Sequence, residues 1–257
     1  MTGAVRYTVS ENIAHVWFDR PHVRNAMTFA MYEQLEAACT AIRSDPSIRV
    51  AVFRGVGGEA FVAGTDIQQF LAFETPQDGL VYEERIDAVI NAVETLPVPT
   101  IAAVEGFAMG GGFALAIACD LRLATPDARF GYPIARTVGN CLSMANIARL
   151  TCNFGPSIAK KIMLLAESID ADTALDVNFV LEVVSRENLD ARVSALCERL
   201  RGHAPITMRA TKEAMRRIAL ANVPDGRDLI EMAYGSDDLR IGVQSFLAKK
   251  RPIWTGK

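Results

Sequence analysis

Ala60-Phe-Val-Ala-Gly-Thr-Asp-Ile67 and Ile101-Ala-Ala-Val-Glu-Gly-Phe-Ala-Met-Gly-Gly-Gly-Phe113 share one pattern, a buried strand running into a glycine turn and then a helix start. Backbone N–H groups at such a turn have no partner within the helix, and the helix dipole adds partial positive charge there. Two such groups converging on one oxygen polarise a carbonyl and stabilise its oxyanion. Taken singly, each stretch favours the plainer reading, tight strand–helix packing through glycine.

The flanks place these stretches in an α/β chain. Arg6–Phe18 mixes apolar and polar residues around Asn12 and predicts a β-hairpin, which Pro21 ends. Thr28 is a good N-cap for a helix over Met31–Arg43, where Met31, Leu35, Ala38 and Ile42 recur at helical spacing. Arg49–Arg54 and Thr100–Val104 are continuous apolar runs, hence buried strands, and Asp120–Ala124 predicts another. The polar segment from Asp66 to about Gly79 reads as mobile, followed by a helix from Tyr82 to Leu96 that Pro97 and Pro99 terminate. Gly110–Gly112 opens a short apolar helix to Cys119, and from Pro156 onward the pattern is helical. No composition shift marks a linker, so the reading is a core over residues 1–200 with a helical region over residues 201–257.

Composition closes off several classes of function. The 257 residues are 50% hydrophobic and 22% charged, with 27 basic against 30 acidic side chains. A net charge of −3 and a pI near 5.7 offer nucleic acid no electrostatic footprint. The apolar stretches Val98–Ala103 and Phe107–Cys119 fall well short of the ~20 residues of a spanning helix, so no membrane partner is expected. MTGAVRYTVSEN lacks the basic and apolar regions of a secretory signal, and the five scattered cysteines read as reduced thiols, which together point to the cytoplasm. The three histidines (15, 22 and 203) are far apart and no H-E-x-x-H occurs, so no metal is expected. Neither a G-x-S-x-G elbow nor a phosphate-binding G-x-x-x-x-G-K-[ST] loop is present. Gly55-Val-Gly-Gly-Glu-Ala60 matches the loose dinucleotide pattern, but no helix begins there.

Together, in this order and spacing, the two glycine stretches are far more specific. With Arg20-Pro21, Asn25-Ala26-Met27, Pro99-Thr-Ile-Ala-Ala-Val-Glu-Gly106, Cys119-Asp120, Ala128-Arg-Phe-Gly131 and Lys250-Arg-Pro-Ile-Trp-Thr-Gly256, the chain resembles the enoyl-CoA hydratase/isomerase (crotonase) superfamily over nearly its whole length. The resemblance implies a spiral of ββα units with a helical C-terminal trimerisation region, assembled as a homotrimer or dimer of trimers. It implies an acyl-CoA thioester as substrate, with no separate cofactor, and an enolate held by two backbone N–H groups. By motif position those donors are Thr65 and Gly111. Arg24, Asn25, Ala26, Ala63, Asp66, Ile67 and Gly110 would line the CoA path, and Phe246 and Lys249 would reach the CoA of a neighbouring subunit. Asp120 reads as a structural turn residue.

The resemblance also exposes two departures. Hydratases of the family use two glutamates to hold and activate water; here those positions are Ala114 and Ile134. The replacements the sequence offers are Cys141, as a nucleophile or acid with Arg136 lowering its pKa or, more simply, a small buried apolar thiol without a catalytic role, and Tyr132, Arg136 and Asn140 as hydrogen-bonding groups. Gly139-Asn140-Cys141 is similar to the segment where the family's chlorobenzoyl-CoA dehalogenases carry a Gly-Asn-Asp nucleophile. Glu74, Glu83, Glu84 and Asp87 fall in the segment that covers the acyl pocket in relatives, and each reads more simply as part of a solvated face. The expected function is an acyl-CoA enzyme of the hydratase/isomerase type. The alternatives are a CoA-ester binder without chemistry, or decarboxylation, thioester hydrolysis or dehalogenase-like chemistry.

Overall fold

In the computed structural model residues 3–257 are described. β1 (Ala4–Ser10) and β2 (Ile13–Asp19) form the expected hairpin, with Glu11 and Asn12 at φ 50° and 63°, the turn whose twist matches antiparallel strands. After a 3-10 turn at Pro21–Val23, the Thr28 hydroxyl accepts the Met31 N–H at 3.2 Å and opens α1 (Phe29–Ser44).

Three strand–strand–helix units follow. The first is β3 (Val50–Gly55), β4 (Ala60–Val62) and α2 (Pro76–Glu94). The second is β5 (Thr100–Val104), β6 (Phe107–Met109) and α3 (Gly111–Ala118). The third is β7 (Leu121–Ala124) and β8 (Arg129–Gly131), followed by α4 (Ile134–Thr137) and α5 (Met144–Leu164). In each unit the first strand joins one sheet and the second joins the other. β9 (Ile169–Asp170), α6 (Ala171–Asp176) and β10 (Glu182–Val183) complete them. The larger sheet runs β1-β2-β3-β5-β7-β10 and the smaller β4-β6-β8-β9. This is the ββα spiral that the resemblance implies.

The central strands of the larger sheet are parallel and covered on both faces, which is why they read as unbroken apolar runs. Alternation along β3 sends Val50 and Val52 one way and Ala51 and Phe53 the other. On the first side lies α7 (Arg186–Arg201), which buries Leu189, Val193 and Leu196 there. On the second side lies the main core, between the sheet and α1, α2 and α3. Asp120 holds the start of β7 as expected: its carboxylate accepts the Thr100 N–H at 2.7 Å and the Thr100 hydroxyl at 2.9 Å.

α8 (Pro205–Ala219), α9 (Arg227–Tyr234) and α10 (Asp237–Leu247) end the chain. α9 lies along α2, and α10 packs on α4 and on a 3-10 turn at Ile67–Ala72.

The segment read as mobile is part of this packing. Asp66 caps the 3-10 turn by accepting the Gln68 N–H at 3.1 Å, the Gln69 side-chain Oε1 accepts the Phe29 N–H at 2.7 Å, and Phe70 stacks on Phe73 at 4.7 Å. A Thr75–Asp78 capping box then starts α2 at Pro76, before the expected Tyr82. The all-helical reading beyond Pro156 is also corrected by the two-residue strands β9 and β10, too short to leave a periodic signal. Pro156 sits inside α5, where Gly155 (φ 70°) already leaves the helical path.

Candidate active site

β4 and β6 are neighbours in the smaller sheet, so the glycine turns that follow them lie side by side. Gly64 (φ 119°) and Gly110 (φ 52°) hold backbone conformations that favour glycine, and a Cβ on Gly110 would stand 3.6 Å from the Gly64 Cα. The Met27 N–H donates to the Gly64 carbonyl and the Asp66 N–H to the Met27 carbonyl, both at 2.8 Å. These bonds bracket Thr65, so its own N–H faces away from Met27. Gly111 is the first residue of α3, and its N–H has no acceptor in the helix. Among the described residues neither N–H donates to a protein acceptor, and both residues line one cavity of about 100 Å³. Gly112 meets the packing alternative as well, since a Cβ there would lie 2.0 Å from the Val62 carbonyl oxygen. One glycine run therefore does both jobs, packing α3 on β4 and leaving an N–H open.

A buried hydroxyl network stands behind the pair. Thr65 Oγ1 is 2.8 Å from the Tyr32 hydroxyl and 2.9 Å from that of Tyr82. Burial pushes the Tyr32 hydroxyl up to about 12 and raises Tyr82 too, so both stay neutral donor–acceptors that fix the Thr65 side chain.

The lining is apolar at the two positions where the resemblance expects carboxylates: Ala114 and Ile134 both line the cavity. The carboxylate that does reach it is Glu83, only 2% exposed, which corrects the solvated-face reading. Its oxygens accept the Tyr234 hydroxyl at 2.7 Å and the Ser143 N–H at 3.1 Å. Burial is the largest influence on it and pushes its carboxyl up to about 8; the Tyr234 bond pulls it back and the Asp87 charge raises it further. Asp87 lies behind, accepting the Ser143 hydroxyl at 2.7 Å and the Asn146 amide at 3.0 Å. Glu74 and Glu84 are exposed as expected, Glu84 pairing with Arg227 at 2.8 Å.

Tyr132 also lines the cavity, and its hydroxyl is buried with no partner among the described residues. Asn140 joins it there, donating to the Tyr234 hydroxyl at 3.3 Å. Cys141 and Arg136 are not brought in. The Cys141 thiol donates to the Leu229 carbonyl at 3.6 Å, and burial with the nearby Glu83 charge pushes it up to about 12, away from a thiolate. Arg136 is exposed on α4 and is not among the charges acting on that thiol.

Ala63, Ile67 and Gly110 line the cavity. Asp66 pairs with Arg20 at 2.9 Å, whose guanidinium also donates to the Ala26 carbonyl at 3.0 Å. Arg24 is exposed over the Phe107 ring at 5.0 Å, and Asn25 is buried with its amide on the Ala60 carbonyl at 2.8 Å. Asn25 thus ties the loop to β4 and is not in the lining of this cavity, a correction to its place on the CoA path. Phe246 on α10 borders the cavity of its own chain, where a neighbour's was expected, because α10 folds back over the 67–72 turn. Lys249 is exposed and outside the lining.

Residues 8–257 match the family model described as enoyl-CoA hydratase/isomerase. A crotonyl-CoA hydratase of Syntrophomonas wolfei subsp. wolfei is 30% identical over 96% of this chain and 96% of its own length. A 2,3-dehydroadipyl-CoA hydratase of Escherichia coli (strain K12) is 30% identical over 93% of each chain. Among solved structures, a methylmalonyl-CoA decarboxylase in complex with 2-nitronate-propionyl-CoA superposes with a TM-score of 0.89 at 25% identity, covering 98% of both chains. An enoyl-CoA hydratase/carnithine racemase from Magnetospirillum magneticum gives a TM-score of 0.80 at 30% identity, over 98% of this chain and 96% of that one. With its paired glycine turns, its ββα spiral and a family match across nearly its whole length, this chain belongs to the enoyl-CoA hydratase/isomerase family.

Proposed function

We propose that the protein acts on an acyl-CoA thioester, holding the oxygen of a thioester enolate between the N–H groups of Thr65 and Gly111. The observation that supports this reading is that Thr65 and Gly111, whose N–H groups have no protein acceptor among the described residues, line one cavity from two adjacent glycine turns. Charge that moves onto the thioester oxygen meets two donors already in place, so little reorganisation is needed as the enolate forms. Tyr132 supplies a further hydrogen bond to the acyl group, and Ala63 and Ile67 guide the pantetheine arm, with Arg24 near the phosphates. Hydration by a pair of carboxylates at positions 114 and 134 is not part of this reading, since those side chains are methyl and butyl groups.

The hole is tested through its donors. A Cβ on Gly111 would lie 2.4 Å from the Tyr32 hydroxyl, so Gly111→Pro alone mixes a clash with a lost donor. On a Tyr32→Phe background, Gly111→Ala keeps the N–H and Gly111→Pro removes it. Proline is expected to cost a further ~10²–10³-fold in turnover relative to alanine, about 3–4 kcal/mol of transition-state stabilisation. Equal turnover of the two overturns the assignment. Tight binding of CoA esters with no turnover of any ester favours a binding protein instead.

For the assembly, we propose a homotrimer or a dimer of trimers formed through α8. Ile206, Met215 and Ile218 are 82%, 67% and 78% exposed on this amphipathic helix, and α8 buries no residue within the chain.

A further inference from the structure

We propose that Glu83, carried by α2 and braced by Tyr234 of α9, is the catalytic carboxylate that moves a proton to and from the carbon beside the thioester carbonyl. The proposal rests on the enolate reading above and names the group that works opposite the two N–H donors.

Four observations carry it. Glu83 lines the same cavity as Thr65 and Gly111, and it is the sole acidic side chain among the described residues of that lining. Among the described residues no lysine, arginine or histidine lines the cavity, and none pairs with Glu83. Arg149, the cation beside Asp87, is engaged by Glu94 at 2.9 Å and by Asp87 at 3.8 Å. Finally, a carboxylate buried with only a hydroxyl and one N–H for partners works against folding, and glutamine or leucine would fill the space at lower cost. The titratable groups that interact with it are Tyr82 and Asp87 on its own helix, Tyr32 on α1, Tyr132, Cys141 and Tyr234 on α9, and Arg149 on α5 stands beside Asp87. Burial and the Asp87 charge together bring its titration to about 8, where both protonation states are accessible near neutral pH.

The step balances without a further reagent. The Cα–H bond breaks, its proton passes to the Glu83 carboxylate, and the bond's electron pair moves into the enolate held at Thr65 and Gly111. In reverse, the Glu83 carboxylic acid returns the proton to the same carbon, or to the γ-carbon of a conjugated acyl chain. The substrate class is therefore an acyl-CoA whose reaction needs one acid/base group, which takes a proton from carbon and returns it to carbon. A second carboxylate for water is not required.

The experiment is α-proton exchange of butyryl-CoA and 3-butenoyl-CoA in D₂O across pD 6–9, followed by mass spectrometry, with calorimetry of ester binding alongside. The parent protein is expected to incorporate deuterium at a rate that rises with pH and levels off near the Glu83 titration. Glu83→Gln, which keeps the shape and can still hydrogen-bond to Ser143 and Tyr234, is expected to lose ~10²-fold or more in exchange with ester binding unchanged. Tyr234→Phe, which removes a bond that lowers the Glu83 pKa, is expected to retain exchange and move the pH limb upward. Exchange by Glu83→Gln at the parent rate overturns the assignment while leaving the enolate reading intact. Ester binding with no exchange by the parent protein overturns the enolate reading and this assignment with it. An unmoved limb in Tyr234→Phe overturns the role of Tyr234.

Discussion

Glu83 is the residue whose burial changes both stability and chemistry. Its pKa in the folded chain, raised to about 8, stands above the 4.5 of an exposed glutamate, so the folded state binds the proton more tightly than the unfolded one. Its contribution to stability is therefore fully present below about pH 4.5 and is lost as pH rises towards 8. Glu83→Gln is expected to raise the melting temperature at pH 8.5 and to change it little at pH 5; equal shifts at both pH values would refute this. The position carried a signal in the sequence, because Glu83 falls on the apolar stripe Leu80, Ile86, Ile90 and Val93 of α2. Whether such a carboxylate faces a cavity or a salt bridge depends on what packs against the stripe. Cys141 shows the reverse case, a reactive type of residue whose thiol is kept protonated. Cys141→Ser, able to donate to the Leu229 carbonyl in the same way, is expected to leave turnover at the parent level in a steady-state assay.

At the scale of elements, the placement of Glu83 depends on α9 lying against α2, because Tyr234 of α9 donates to its carboxylate. The contact is made at Gly79, where a Cβ would stand 2.1 Å from the Tyr234 Cγ. Gly→Ala inside a helix usually stabilises by about 1 kcal/mol, but here the ring and the helix behind it cannot give way cheaply. Gly79→Ala is expected to destabilise by ~1–3 kcal/mol in urea titration and to lower exchange by loosening Tyr234 from Glu83. A gain in stability would show that α9 is free to shift. The turn at Ile67–Ala72 belongs to the same assembly, since Phe70, Phe73, Tyr82 and Tyr234 form one aromatic cluster with ring centroids 4.7–6.3 Å apart. The segment from Asp66 to Gly79 mixes Ile67, Phe70, Leu71 and Phe73 with polar residues and holds no sustained helix or strand period, hence the mobile reading. The order comes from rings that meet only when α2, α9 and the turn are in place.

For the whole molecule, two sheets hold the site and the C-terminal helices close it. The parallel arrangement puts β4 beside β6, and this neighbourhood brings two glycine turns that are separate in the chain to one cavity. α8 is the exception, amphipathic yet without a buried residue of its own, and the groove beside it is lined by Pro99, Ile117, Leu121 and Leu200. Replacing Met215 and Ile218 together by glutamate is expected to shift the light-scattering mass from a multiple of 28.0 kDa towards the single chain. An unchanged mass would exclude α8 as the contact.

The amino-acid sequence by itself determined the α/β class, the hairpin at Asn12, the Thr28 cap, the buried strands and the two glycine stretches, because each is written in local spacing and turn chemistry. It also determined that positions 114 and 134 carry no acid. Only the tertiary structure decided that Glu83 is buried, that Cys141 and Arg136 stand outside the cavity, and that Phe246 borders its own chain's site. Those outcomes depend on contacts between residues far apart in the chain. Desolvation, which sets the Glu83 pKa, is a property of the packed surroundings and not of the residue.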